Sequence, residues 1–274
     1  MKATALFTSP DYASHYYPMS AAATEMSRRG HRVVFATGPA LRRQVTGDGF
    51  THAELVLGPG SNSGVMRIED QSVEERKQLE EFFEATRQGM VPALRHQAEG
   101  RRRDLLHEPG RVARDIAGIL NRHRPDVIVV DQLAFGATAA LRGLGTEFVS
   151  FHPGHPSAIP TGHPYGFPAK IPIRIKYEPE ALLELRDLCE DIGERFTAEY
   201  NDAMREIDPG VDPVSDAFSA TSPSGTLVNY PAALGAGYGL PLSARFIGAS
   251  VRQTLLTPDL ETAFAEQNRR PRIY

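Results

Sequence analysis

The sequence lacks the features that mark several common classes of protein. Its 274 residues contain a single cysteine, Cys189, which excludes a disulfide framework and a cysteine metal site. Because Cys189 falls within a helical pattern, we interpret it as a buried or half-buried small side chain. No apolar run approaches the ~18 residues that a membrane span needs. No secretory signal pattern follows Met1, so we expect a cytoplasmic protein.

The chain also lacks a strong excess of charge of either sign. It has 30 basic and 34 acidic residues, a net charge of -4, and no basic stripe interleaved with aromatic residues. Nucleic acid is therefore not favoured as a partner. The one basic cluster, formed by Arg101, Arg102 and Arg103, is flanked by acidic residues, and we interpret it as a solvated helix face. The length predicts one large domain or two small ones.

Short apolar runs that alternate with helical patterns predict an α/β fold. An apolar run ending at Phe7, a helical pattern over residues 19–29 and a second run over 31–37 imply a parallel sheet with a right-handed crossover. The strongest strand covers residues 127–131, whose four β-branched side chains are typical of a central strand buried on both faces. Further strands are predicted at residues 52–57, 147–151, 225–229 and 244–248.

The loop after the first strand contains no glycine between Thr8 and Pro18. Dinucleotide-binding and phosphate-binding turns need glycines, because the backbone approaches phosphate closely there, so neither turn is predicted. The loop carries His15 instead, and an imidazole with a pKa of about 6.5 suits general-base chemistry near neutral pH. Ligands bind outside the carboxyl ends of strands in such sheets. A solvated or merely hydrogen-bonded histidine is the alternative interpretation.

Asp131 ends the strongest strand and is expected at the same sheet edge as His15. It can either cap the following helix or take part in catalysis, and the pattern does not decide between these roles. His152 follows the next strand and opens a proline-rich loop to residue 172, which we interpret as covering a ligand. His152 and His155 have no partnering cysteine or glutamate set, so no metal site is predicted. The glycine-rich loop over residues 58–64 is interpreted as a mobile lid.

The order of these elements resembles the N-terminal half of the GT-B glycosyltransferases, the bacterial macrolide and antibiotic type related to the UDP-glycosyltransferases. The resemblance rests on residues 15–19 (HYYPM), 29–37 (RGHRVVFAT), 125–131 (PDVIVVD), 227–231 (LVNYP) and 247–248 (IG). These segments follow the family's order over nearly the whole chain. The implied fold is a Rossmann-like parallel sheet with helices on both faces, the N-terminal half of a GT-B fold.

The resemblance implies an inverting transfer of sugar from a nucleotide-sugar donor to a hydroxyl of a small lipophilic natural product, such as a polyketide or macrolide. In this family pattern His15 matches the general base and Asp131 the carboxylate that orients it. Beyond the donor as co-substrate, the scheme requires no cofactor and no metal. Ser14 and Tyr17 stand where the family usually has glycine and asparagine, which changes the surroundings of the base.

Residues 1–250 are expected to form the acceptor-binding domain, and residues 251–274 a linker and the first strand of a donor-binding domain. Without that domain, supplied in cis or in trans, we expect the chain to be inactive. One alternative is a non-catalytic binding module that pairs with a separate donor-binding chain. A self-sufficient nucleotide-sugar transferase or epimerase is disfavoured by the lack of a phosphate-binding glycine loop. The predicted acceptor contacts are Tyr12, Tyr16, Phe82, Phe83, Phe135 and His152.

Overall fold

The computed structural model describes residues 2–64, 72–101, 106–235 and 237–250, and its centre is a parallel sheet. The strands in the described residues are β1 (Thr4–Thr8), β2 (Arg32–Thr37), β3 (Thr51–Glu54), β4 (Val127–Asp131), β5 (Val149–His152), β6 (Thr226–Val228) and β7 (Ala244–Phe246). They lie in the order β3-β2-β1-β4-β5-β6-β7. The linker predicted over residues 251–274 lies outside the described residues.

Helices connect the strands on both faces of this sheet. They are α1 (Ala13–Arg28), α2 (Arg42–Gly47), α3 (Val73–Gln88), α4 (Met90–Arg101), α5 (Pro109–His123), α6 (Phe135–Gly143), α7 (Pro179–Ile207) and α8 (Ala232–Gly235). Short 3-10 turns cover Pro39–Leu41 and Pro156–Ala158. Among the helices of the described ranges, none has the length and apolar composition needed to cross a membrane.

Alternate residues of the central strands enter two separate hydrophobic cores, because successive side chains of a strand point to opposite faces. Leu6 of β1 packs in the same core as Ile116 of α5 and Ala140 of α6. Phe7, its neighbour, packs in the other core with Met19 of α1. Both faces are thus buried under helices, as the apolar runs without polar alternation predicted.

A third core lies where α7 packs across α4 and α6. The buried stripe of α7 steps by three or four residues and consists of Leu185, Cys189, Ile192, Phe196, Tyr200 and Met204. This spacing is that of one face of an α-helix, and α7 is a single continuous helix. Cys189 is buried in the stripe, which agrees with the prediction.

Helix α1 begins six residues earlier than its sequence pattern indicated. Its first residue is Ala13, so Pro18 lies inside the helix and His15 lies in the first turn. The N-cap residue, Tyr12, has no side-chain capping hydrogen bond. The N–H group of Ala13 donates to the carbonyl oxygen of Asn62 at 2.6 Å instead. A carbonyl group far away in the chain therefore accepts a hydrogen bond from the first turn of α1, where a local side chain is the usual acceptor.

Candidate active site

The carboxyl ends of β1 and β4 meet at the centre of the sheet, where the strand order reverses. Connections run outward from β1 towards β3 on one side and from β4 towards β7 on the other, which leaves a crevice between the loops. His15 follows β1 and Asp131 is the last residue of β4. Two residues 116 positions apart in the chain thereby become neighbours.

His15 and Asp131 form a hydrogen-bonded pair. The distance from His15 Nδ1 to Asp131 Oδ2 is 2.9 Å, and the side chain of Asp131 has no solvent exposure while that of His15 is 19% exposed. The second carboxylate oxygen, Oδ1, accepts a hydrogen bond from the N–H of Leu133 at 2.8 Å. Asp131 therefore fixes the turn before α6 with one oxygen and orients the imidazole with the other.

This pairing determines which nitrogen of His15 can act as a base. Donation of Nδ1–H to the carboxylate leaves the lone pair of the imidazole on Nε2. Within the described part of the chain, Nε2 has no hydrogen-bond partner. Burial lowers the pKa of His15, but the charge of Asp131 and the hydrogen bond to it outweigh burial, so the pKa is raised. The site can take a proton from a hydroxyl group placed at Nε2.

A cavity of about 880 Å³, called here the sheet-edge cavity, borders His15. Its wall combines polar side chains, such as Asn62 and Gln78, with apolar and aromatic ones. The apolar and aromatic side chains are those of Tyr12, Leu57, Leu79, Phe82, Leu133, Phe135 and Tyr165. The volume and lining are in the range of small-molecule binding sites. Residues 58–62 of the predicted lid contribute to the wall. The N–H of Asn62 donates to the Asp11 carbonyl at 2.8 Å, which ties this loop to the start of α1.

Three of the predicted acceptor contacts line the sheet-edge cavity, namely Tyr12, Phe82 and Phe135. The ring of Tyr12 lies edge-on to His15, with 6.3 Å between the ring centroids. Phe135 also belongs to the third core, where its ring meets that of Phe196 at 4.9 Å. The structure therefore brings these three aromatic side chains and His15 to one surface.

The other three predicted contacts lie away from the cavity wall. Tyr16 is fully buried in the core, where its hydroxyl donates to Asp48 Oδ2 at 2.6 Å. Phe83 is 49% exposed, because its position in α3 turns it away from the wall that Phe82 occupies. His152 is 2% exposed and is enclosed beneath the loop that it opens.

His152 is held by the local backbone of that loop. Its Nε2–H donates to the carbonyl oxygen of His155 at 2.9 Å, which leaves Nδ1 buried with no partner in the described ranges. Burial lowers the pKa of His152. His155 accepts a hydrogen bond from the N–H of Ser157 through Nδ1. Across the described residues, no group of three or more histidine, cysteine, aspartate or glutamate side chains is placed to hold a metal ion.

Three further residues border the cavity, and none of them was predicted to lie in a site. Asp11 accepts hydrogen bonds from the N–H groups of Ala40 and Leu41, at 3.0 and 3.1 Å, and burial raises its pKa. Arg101 borders the cavity, so its interpretation as part of a solvated helix face is wrong, whereas Arg102 and Arg103 lie outside the described residues. Tyr165 belongs to the loop that was predicted to cover a ligand.

The fold and the site together define a Rossmann-like α/β domain with a histidine–aspartate pair at a ligand crevice. No protein-family model and no curated protein matches the sequence. The fold matches solved structures of bacterial antibiotic glycosyltransferases. The glycosyltransferase of kitacinnamycin has a TM-score of 0.50 and 16% identity, with coverage of 92% of this chain and 53% of that chain. The spinosyn forosaminyltransferase SpnP has a TM-score of 0.50 and 15% identity, with coverage of 94% and 54%.

These comparisons establish the fold of the chain. The expected parallel sheet with helices on both faces is confirmed, and the matching structures have the GT-B glycosyltransferase fold. The chain spans about half the length of the solved structures that it matches.

Proposed function

We propose that this chain is the acceptor-binding half of an inverting glycosyltransferase, which moves a sugar from a nucleotide-sugar donor to a hydroxyl of a small lipophilic natural product. The observation that carries the proposal is the His15–Asp131 pair, whose imidazole lines a cavity that also has apolar and aromatic side chains in its wall. The likeness of the fold to antibiotic glycosyltransferases supports it.

The chemistry depends on a base, because an acceptor hydroxyl is a weak nucleophile until its proton is removed. Nε2 of His15 takes that proton while the acceptor oxygen bonds to the anomeric carbon of the sugar. The bond from this carbon to the diphosphate oxygen breaks, and the nucleoside diphosphate leaves with the electron pair. Attack from the opposite face inverts the configuration. Asp131 holds the tautomer and stabilises the imidazolium that forms.

The acceptor binds in the sheet-edge cavity. Tyr12, Phe82 and Phe135 present apolar surface beside His15. Aromatic side chains bury large areas against a ligand, which favours a lipophilic acceptor whose reacting hydroxyl lies at the imidazole. The donor binds to a second domain, joined in cis or supplied in trans. Positioning both substrates supplies much of the rate, so the chain without that domain turns over little.

The test is a sugar-transfer assay with this chain joined to a donor-binding domain, in which the glycosylated product is detected by mass spectrometry. We expect His15→Ala to lower kcat by about 10²- to 10⁴-fold, the usual contribution of a general base, while acceptor affinity is retained. His123→Gln is the control, because His123 ends α5 before the amino end of β4. Retention of most activity by His15→Ala would contradict the proposal.

A further inference from the structure

Arg101, the last residue of α4, lines the sheet-edge cavity, and its guanidinium forms no ion pair with any of the described residues. Its guanidinium carbon lies 4.9 Å from the centroid of the Tyr165 ring. Nη1 is buried, and no residue in the described ranges accepts a hydrogen bond from it. Buried donors on charged groups nearly always have an acceptor, since leaving one unpaired is costly.

The carboxylates around the cavity are already engaged. Both oxygens of Asp11 accept backbone N–H groups, and the oxygens of Asp131 are occupied by His15 and Leu133. Apart from His15, Arg101 is the one basic side chain among the described residues that line the cavity. The described wall therefore offers a guanidinium that no described carboxylate pairs with directly.

The guanidinium of Arg101 lies beside Tyr165 and Gly166 in the loop that follows β5. Gly166 has a φ of 88°, and a Cβ at this position would collide with Nη1 of Arg101. The guanidinium also lies over the ring of Tyr165, which is a cation–π contact. A guanidinium carries a planar fork of N–H donors that matches the two oxygens of a carboxylate.

We propose that the acceptor carries a carboxylate, which Arg101 binds inside the sheet-edge cavity. This inference rests on the proposed function and specifies its substrate class. A single guanidinium balances the single charge of a carboxylate, whereas a phosphate dianion calls for further cations that the described wall lacks. The carboxylate anchors one end of the acceptor, and the apolar and aromatic side chains of the wall hold the remainder.

The test compares the binding of anthraquinone-2-carboxylate and of its neutral carboxamide to the purified chain by calorimetry. We expect the carboxylate to bind about tenfold or more tightly than the carboxamide, as for a charge-assisted hydrogen bond. Arg101→Gln should reduce that ratio to about one, with carboxamide affinity unchanged, and Arg101→Lys should keep part of the preference. Arg95→Gln is the matched control, because Arg95 of the same helix pairs with Glu184 outside the cavity.

The two proposals fail in different ways in this experiment. Equal binding of both compounds, or a carboxylate preference that survives Arg101→Gln, overturns the anion site and leaves the acceptor cavity standing. If neither compound binds, the proposal that the cavity holds the acceptor is overturned, and the proposed carboxylate site at Arg101 is overturned with it. A ratio that falls equally in Arg95→Gln shows that general charge, and not Arg101, causes the preference, and this also overturns the proposal. Thermal unfolding of each variant confirms that it is folded.

Discussion

At the scale of single residues, Asp131 controls the protonation of His15. The carboxylate stabilises the imidazolium and raises the pKa of His15, whereas burial of the ring lowers that pKa. Replacing Asp131 with asparagine removes the negative charge while an oxygen remains to accept the N–H of Leu133. The charge that raises the pKa of His15 is then gone, and burial still lowers that pKa. We therefore expect the pKa of His15 to fall in Asp131→Asn. The measurement is a pH titration of the His15 ring resonances by NMR.

Asp126→Asn serves as the control for this titration. Asp126 precedes β4 at its amino end, where the carboxylate accepts the N–H of Thr4 far from the imidazole. We expect the pKa of His15 to stay at its wild-type value in this variant. A pKa of His15 that does not change in Asp131→Asn would show that the 2.9 Å contact has no electrostatic effect on the base.

Two tyrosines one helical turn apart are expected to behave differently on substitution. Tyr12 lines the sheet-edge cavity, and Tyr16 is buried with its hydroxyl on Asp48. We expect Tyr12→Ala to weaken acceptor binding with little change in stability. Tyr16→Phe should lower the free energy of unfolding by about 1.5 to 3 kcal/mol, the usual net value of a hydrogen bond to a charged group, with binding unchanged. Urea denaturation and calorimetry separate these effects.

Tyr12→Phe is the matched variant at the first position, because it keeps the ring and removes only the hydroxyl. Near wild-type acceptor affinity in this variant would assign the contact to the ring. Should Tyr16→Phe weaken acceptor binding as strongly as Tyr12→Ala, the assignment of Tyr16 to the core would be contradicted.

At the scale of elements, the packing of α6 on α7 depends on a glycine. A Cβ at Gly143 would lie 2.9 Å from Ile207 and 3.0 Å from the carbonyl oxygen of Met204, which is closer than van der Waals contact allows. We expect Gly143→Ala to lower the free energy of unfolding by about 1 to 3 kcal/mol, as in overpacked cores. Chemical denaturation measures the change.

Gly118→Ala in α5 is the same substitution without the steric conflict. A Cβ at Gly118 has no atom within 4 Å, so the helix-forming preference of alanine should raise the free energy of unfolding by about 0.5 to 1 kcal/mol. Equal effects of the two substitutions would show that the approach of α6 to α7 does not depend on Gly143.

The start of α1 shows why sequence patterns predict strands better than helix ends. The buried run of β4 could be recognised because its β-branched residues alone indicate a two-sided strand. The first turn of α1 depends on the Asn62 carbonyl, which is 49 positions away in the chain and leaves no local capping signal. Pro18 then favoured a later start, although a helix tolerates it here.

At the scale of the whole molecule, the order of strands explains how much of the site the sequence revealed. His15 comes after one predicted strand and Asp131 ends another. Because the carboxyl ends of parallel strands share one edge of the sheet, the two residues could be predicted to lie close together. The residues before Pro18 were interpreted as a loop, although α1 begins at Ala13. The helical face that carries Tyr16 into the core could therefore not be predicted. The interpretation of Arg101 as a solvated residue was wrong, because a charged side chain usually faces solvent and the position of Arg101 depends on how α4 packs on α7.

In the proposed function, the described residues bind an acceptor and a different domain binds the donor. The most direct measurement is calorimetric titration of the purified chain, first with 1,8-dihydroxyanthraquinone and then, separately, with TDP-glucose. We predict saturable binding of the anthraquinone, weakened by Tyr12→Ala, and no measurable binding of TDP-glucose. Tight binding of TDP-glucose without binding of the anthraquinone would place the donor site within this chain and contradict the proposal that the chain is an acceptor-binding half.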